Sequence, residues 1–167
     1  AAAIAGIRPI IFRQKGTGIH LDYTPPPRLR QAADPAAIDQ AARALLAAQR
    51  PILHVGQGVL YAEATNELVQ LAEFLQAPVM TTLPGKSAFP ENHPLSVGAS
   101  GPSTTLGVHR FLMRADLVCG VGCSFTKTNF AVPIPPGKRL VHLTNDEDAI
   151  NKDYRCDVPV LGDAKLV

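Results

Sequence analysis

Five short apolar runs punctuate the chain: Pro51 to Val55, Val79 to Thr81, Leu117 to Val121, Leu140 to Leu143 and Val158 to Leu161. Their length and lack of polar alternation suit strands buried on both faces. Between them lie segments of helical spacing. Ile38, Ala41, Ala42, Leu45 and Leu46 form one apolar stripe, and Leu68, Leu71, Ala72 and Leu75 form another. Asp34 before Pro35 supplies an N-cap and a first helical residue. Ser103 or Thr104 can cap a further helix running through Met113, and a short helix is expected near Ala149 to Lys152.

Strands alternating with helices predict an α/β fold: a three-layer, doubly wound parallel sheet with helices on both faces and Rossmann-like nucleotide-binding topology. The 167 residues, 46% of them apolar, suffice for one domain with its own core. Residues 1–33 read differently. Ile10 to Phe12 leave room for one short strand, but Pro25-Pro26-Pro27 cannot continue a helix or a central strand. This stretch is expected to be an entry linker, with the domain over 34–167. The apolar opening, Ala1 to Gly6, has no basic region before it and reads as a trimmed linker rather than a signal peptide. The missing initiator Met, and a helix cut short after Asp163, favour excision from a longer chain.

The net charge of +2 is scattered, which disfavours a nucleic-acid partner. No stretch has the apolar length of a membrane span. Cys119, Cys123 and Cys156 are an odd set without framework spacing, which suits reduced structural thiols and a cytoplasmic setting. The five histidines do not cluster in sequence, and His54 and His142, inside strands, are expected to be core or hydrogen-bonded residues.

Doubly wound sheets bind ligands at the carboxyl ends of their strands, near a switch in strand order. That places a candidate cofactor site on Gly56, Gln57, Gly58, Thr82, Leu83, Gly101, Ser103, Gly122, Ser124 and Asp146. Gly56-Gln57-Gly58, between a strand and a helix, could present bare amides to a phosphate, although no third glycine completes the dinucleotide fingerprint. A tight turn that needs glycine explains it equally well. The small-residue loop Gly98 to Thr105 could likewise cradle an anion. Asp146 could accept hydrogen bonds from a ribose or an amine, or simply cap the next turn. Asp163 reads more simply as a cap, and Lys86 as a solvated charge.

These segments, in this order, resemble the central domain of thiamine-diphosphate-dependent enzymes of the acetolactate synthase type. Arg50 to Gly58 looks like that domain's opening strand and glycine loop. Leu71-Ala72-Glu73 to Val79 resembles the next helix and strand, and Thr81-Thr82-Leu83-Pro84-Gly85-Lys86-Ser87-Ala88-Phe89-Pro90-Glu91-Asn92-His93-Pro94 is the most specific stretch. Ala115 to Gly122, Val141 to Leu143, Ile150 to Tyr154 and Asp157 to Ala164 complete the likeness.

The resemblance implies a 2-keto acid decarboxylase or carboligase, with thiamine diphosphate and magnesium held by N- and C-terminal domains in a dimer or tetramer. It implies no catalytic residue here, and no Gly-Asp-Gly magnesium segment occurs. In flavin-binding relatives the dinucleotide lies along the glycine loop and the positions of Thr82 and Leu83, so FAD or ADP is a candidate ligand. The sequence departs from that flavin pattern. Ala99 or Ser100 and Ser103 stand where Met and His are usual, Ser124 and Thr126 near an Arg and an Asp, and Thr144 at an acidic position. Losing the Arg removes a bidentate phosphate partner, for which Lys127 could only partly compensate. A degenerate spacer domain is one consequence. A free-standing FAD, NAD or ADP carrier of an electron-transfer complex is the alternative from another class.

Overall fold

The computed structural model describes residues 30–167. The entry segment expected over residues 1–33 therefore lies almost wholly outside the described residues. Helix α1 (Pro35–Ala47) begins as its sequence predicts: the Asp34 carboxylate accepts from the Ala36 amide at 2.9 Å, with Pro35 leading. Then follow β1 (Pro51–Val55), α2 (Gly58–Ala62), α3 (Thr65–Leu75), β2 (Val79–Thr81), β3 (Ser96–Ala99), α4 (Leu106–Arg114), β4 (Leu117–Val121), β5 (Arg139–Thr144) and β6 (Val158–Leu161).

The six strands form one sheet in the order β3-β2-β1-β4-β5-β6, and every neighbouring pair is parallel. The chain builds outward from β1 to β3, then returns to place β4 on the other side of β1. The order therefore reverses between β1 and β4, where a crevice opens beyond the carboxyl ends.

The central strands split their side chains between two apolar layers. Leu53, Val55, Leu117, Cys119, Val121 and Val141 join Ala44, Leu45, Val59, Leu68 and Ala72 from α1, α2 and α3. On the opposite face Ile52, Met80, Val118 and Leu140 meet Val108 and Leu112 of α4, with Phe125 and Ile134 from the loop after β4. Ile52, Leu53, Val59 and Val118 have no exposed surface. Each such side chain contributes about 1.5–3 kcal/mol relative to leaving it in water.

Four local expectations need correction. The helical segment after Gly58 is two helices, broken where Glu63 takes a left-handed φ of 57°. The small-residue loop expected from Gly98 begins instead inside a strand, Ser96–Ala99. It is a half-buried edge strand with one large apolar residue, and Gly98 at φ 104° follows a register shift against β2. Helix α4 is capped by Thr105, not Ser103 or Thr104. The Thr105 hydroxyl accepts from the Val108 amide at 3.1 Å and donates to the Val97 carbonyl at 2.6 Å, tying α4 to β3. The helix expected over Ala149 to Lys152 is a single 3-10 turn at Glu147–Ala149, because Ile150 is extended and Asn151 is left-handed.

Candidate functional site

The loops after β1 and β4 interlock at the switch point. The Gly56 amide donates to the Val121 carbonyl, that of Gly58 to the Gly122 carbonyl and that of Gly122 to the Leu143 carbonyl, each at 2.9 Å. A Cβ on Gly56 would collide with the Gly122 carbonyl oxygen. Gly122 itself sits at φ 59°, and a Cβ there would lie 2.7 Å from the Val59 nitrogen. Close backbone approach is thus what these glycines are for. Their amides are engaged within the protein, not bare as the glycine-loop reading expected.

A cavity of about 470 Å³ opens above this interlock. Seven of the candidate residues line it: Gln57, Gly58, Thr82, Leu83, Gly122, Ser124 and Asp146. The other three do not. Gly56 is buried beneath, Gly101 lies against the Leu83 side chain, where a Cβ would be 3.0 Å from Cδ2, and Ser103 is exposed outside the lining. Ser124 Oγ and Thr126 Oγ1 are hydrogen-bonded to each other at 2.7 Å. Asp146 caps the 3-10 turn, Oδ1 accepting from the Asp148 amide at 3.1 Å, while its side chain also faces the cavity. The cap therefore leaves Asp146 on the cavity wall. Thr82 Oγ1 accepts from the Gly85 amide at 2.9 Å.

The cations are elsewhere. Lys86 pairs with Glu91 at 2.7 Å on the surface, and the Lys127 ammonium lies 4.6 Å from the Tyr154 ring centroid. Neither lines the cavity.

Sequence reasoning missed the floor. His54 Nε2 lies 3.0 Å from Ser100 Oγ, and that hydroxyl donates to the Thr81 carbonyl at 3.0 Å. His54 must then donate through Nε2, which leaves Nδ1 as a buried acceptor without a hydrogen-bond partner. Burial, aided by the charge of His142, pushes the His54 pKa down to about 4. His142 Nε2 donates to the Cys123 carbonyl at 2.8 Å. Its pKa is also lowered by burial, against the opposing pull of that hydrogen bond and of Asp146. The signal for this pair was a histidine inside each of two apolar strands. The Phe125 ring covers Gly120, which stands between the histidines in the strand register, its centroid 5.8 Å from that of His54 and 4.6 Å from that of His142.

Two fit tests follow from this geometry. Among the described residues no group of three or more His, Cys, Asp or Glu could hold a metal ion. The switch-point cavity has room and hydrogen-bonding groups for a base and a sugar, but among the described residues no Lys or Arg lines it for a phosphate.

Sheet order and switch-point crevice define a doubly wound α/β domain of Rossmann-like topology. Residues 38–167 match the family described as thiamine pyrophosphate enzyme, central domain, and the chain belongs to that family. It is 37% identical over 135 residues to a probable acetolactate synthase large subunit of Methanocaldococcus jannaschii, covering 80% of this chain and 23% of that protein. It is 35% identical over 156 residues to the acetolactate synthase large subunit of Corynebacterium glutamicum, covering 88% and 25%. A putative thiamin diphosphate-dependent enzyme from Mycobacterium smegmatis superposes with a TM-score of 0.71 at 31% identity, over 86% of this chain and 28% of that one. Benzoylformate decarboxylase from Polynucleobacter necessarius gives 0.67 at 26% identity, over 90% and 28%. The chain thus spans 23–25% of the length of the two acetolactate synthase relatives. These relatives lend the free-standing carrier reading no support. No helix among the described residues is long and apolar enough to cross a membrane.

Proposed function

We propose that residues 34–167 form the non-catalytic central module of a thiamine-diphosphate-dependent 2-keto acid decarboxylase or carboligase resembling acetolactate synthase. Residues 1–33 serve as its entry segment. Thiamine diphosphate and magnesium sit between flanking N- and C-terminal domains, in a cytoplasmic dimer or tetramer. The cofactor supplies the carbanion chemistry there. This domain spaces and aligns its neighbours, and its switch-point cavity is a ligand site in the place where an FAD- or ADP-type group was expected.

The observation that carries this reading is the family match over residues 38–167. The surface supports it too. Leu46 and Phe74, 65% and 76% exposed, rim an apolar groove between α1 and α3, a surface of the kind neighbouring domains cover. The test is turnover: the intact protein, supplied with thiamine diphosphate, Mg²⁺ and a panel of 2-keto acids including pyruvate, should release CO₂. No release from any of them overturns the assignment.

A further inference from the structure

Among the described residues, the lining of the switch-point cavity carries almost no positive charge. Its one basic side chain there is His54, 5% exposed and kept neutral by burial, and its one formal charge there is the Asp146 carboxylate. The adjoining cleft shares Gly58, Tyr61 and Asn145 with the cavity and contains Arg30. Arg30 is already engaged, its Nη1 donating to the Ala62 carbonyl at 2.6 Å and to Asp163 Oδ1 at 3.3 Å. The glycine amides that could have replaced a cation donate instead to Val121, Gly122 and Leu143. A diphosphate entering here would lose its hydration and meet a carboxylate, with no donor fork in return.

The walls offer something else. Two aromatic rings stand at the mouth, Tyr61 68% exposed and Phe130 70% exposed. The hydroxyl pair of Ser124 and Thr126 and the amide side chains of Gln57 and Asn145 supply both donors and acceptors. On the floor, His54 keeps an unpartnered buried nitrogen. A volume of about 470 Å³ lies within the range of small-molecule sites.

We infer that this cavity takes an uncharged ligand of the nucleoside class, a heteroaromatic base on a hydroxylated ring, and discriminates against its phosphorylated forms. The ring faces of Tyr61 and Phe130 suit the base, and the hydroxyl and amide groups suit the sugar. The inference rests on reading the cavity as a ligand site. It does not depend on which keto acid the intact enzyme uses.

Calorimetric titration of the intact protein tests it, with adenosine and guanosine set against ADP, GDP and FAD. At least one nucleoside should bind, about tenfold or more tighter than its diphosphate, a difference of about 1.4 kcal/mol. A diphosphate or FAD binding as tightly as the nucleoside overturns the inference, as does a cooperatively folded protein that binds neither nucleoside. Ser124→Arg should raise the affinity for ADP relative to adenosine by about tenfold, because it restores a phosphate fork to the wall. An unchanged ratio, in a variant that melts like the parent, overturns the electrostatic argument. CO₂ release from the same protein separates the two readings. Turnover without nucleoside binding sinks only this inference, and nucleoside binding without turnover sinks only the module assignment.

Discussion

Gly56 and Gly122 pack so closely that the Gly122 carbonyl oxygen occupies the space a side chain on Gly56 would need. Gly122 is further committed by its φ of 59°. Together they lock the loop after β1 onto the loop after β4 and shape the base of the cavity. Gly56→Ala must push backbone against backbone, which typically costs 1–3 kcal/mol or more. The melting temperature should fall by roughly 3–10 °C for a domain of this size. Calorimetric melting of the variant measures it, and an unchanged midpoint would show that the two loops part at no cost.

Phe89 anchors the loop after β2. Its side chain is 1% exposed and joins the core on the α1–α3 face of the sheet, while Gly85 leaves a Cβ only 2.7 Å from the Val55 carbonyl. The loop after β2 is therefore a plug under the cavity wall that carries Thr82 and Leu83. Phe89→Ala should cost about 3–5 kcal/mol in urea unfolding, through lost burial and a cavity left behind. A loss below 1 kcal/mol would mean the loop does not hold that wall.

His54 ties stability to pH. Its folded pKa, about 4, lies below the ordinary 6.5, so below pH 6.5 the unfolded chain takes up a proton that the folded protein refuses. Stability is therefore full above 6.5 and declines as the pH falls towards about 4. The loss reaches about 3 kcal/mol, at roughly 1.4 kcal/mol per pKa unit. His142, also lowered, adds in the same direction. Urea melts at pH 7.5, 6 and 5 should show the decline, and His54→Gln should flatten it. An equal slope in both proteins would move the effect to other groups.

The buried thiols should be inert. Burial pushes the thiols of Cys119 and Cys123 up to about 12, so almost no thiolate forms at neutral pH. Cys156 is half-buried, and its thiol donates to the Leu140 carbonyl at 3.4 Å. Iodoacetamide on the native protein should label Cys156 first, and the other two only on unfolding. Peptide mass spectrometry would refute this by finding Cys119 labelled at the same rate.

The sequence determined a good deal by itself. Apolar runs of strand length between helical stripes dictate a parallel sheet covered on both faces, because such strands and stripes can bury their apolar sides only against each other. Asp34-Pro35 fixes a helix start, and Gly56, Gly58 and Gly122 mark the strand ends, since these are local matters of capping and backbone freedom. Tertiary structure decided the rest. Edge strand β3, with little apolar content, exists because β2 offers its open edge. Gly101 and Ser103 fall outside the cavity although their neighbour Ser100 lies within it. The His54, Phe125 and His142 cluster joins residues 54, 125 and 142, brought together only by the pairing of β1, β4 and β5. Whether a glycine amide is free for a phosphate depends on the carbonyl opposite, and for Gly56 and Gly58 that carbonyl lies more than sixty residues away in the chain. Local sequence sets which groups are available, and the folded packing sets which of them remain unspent.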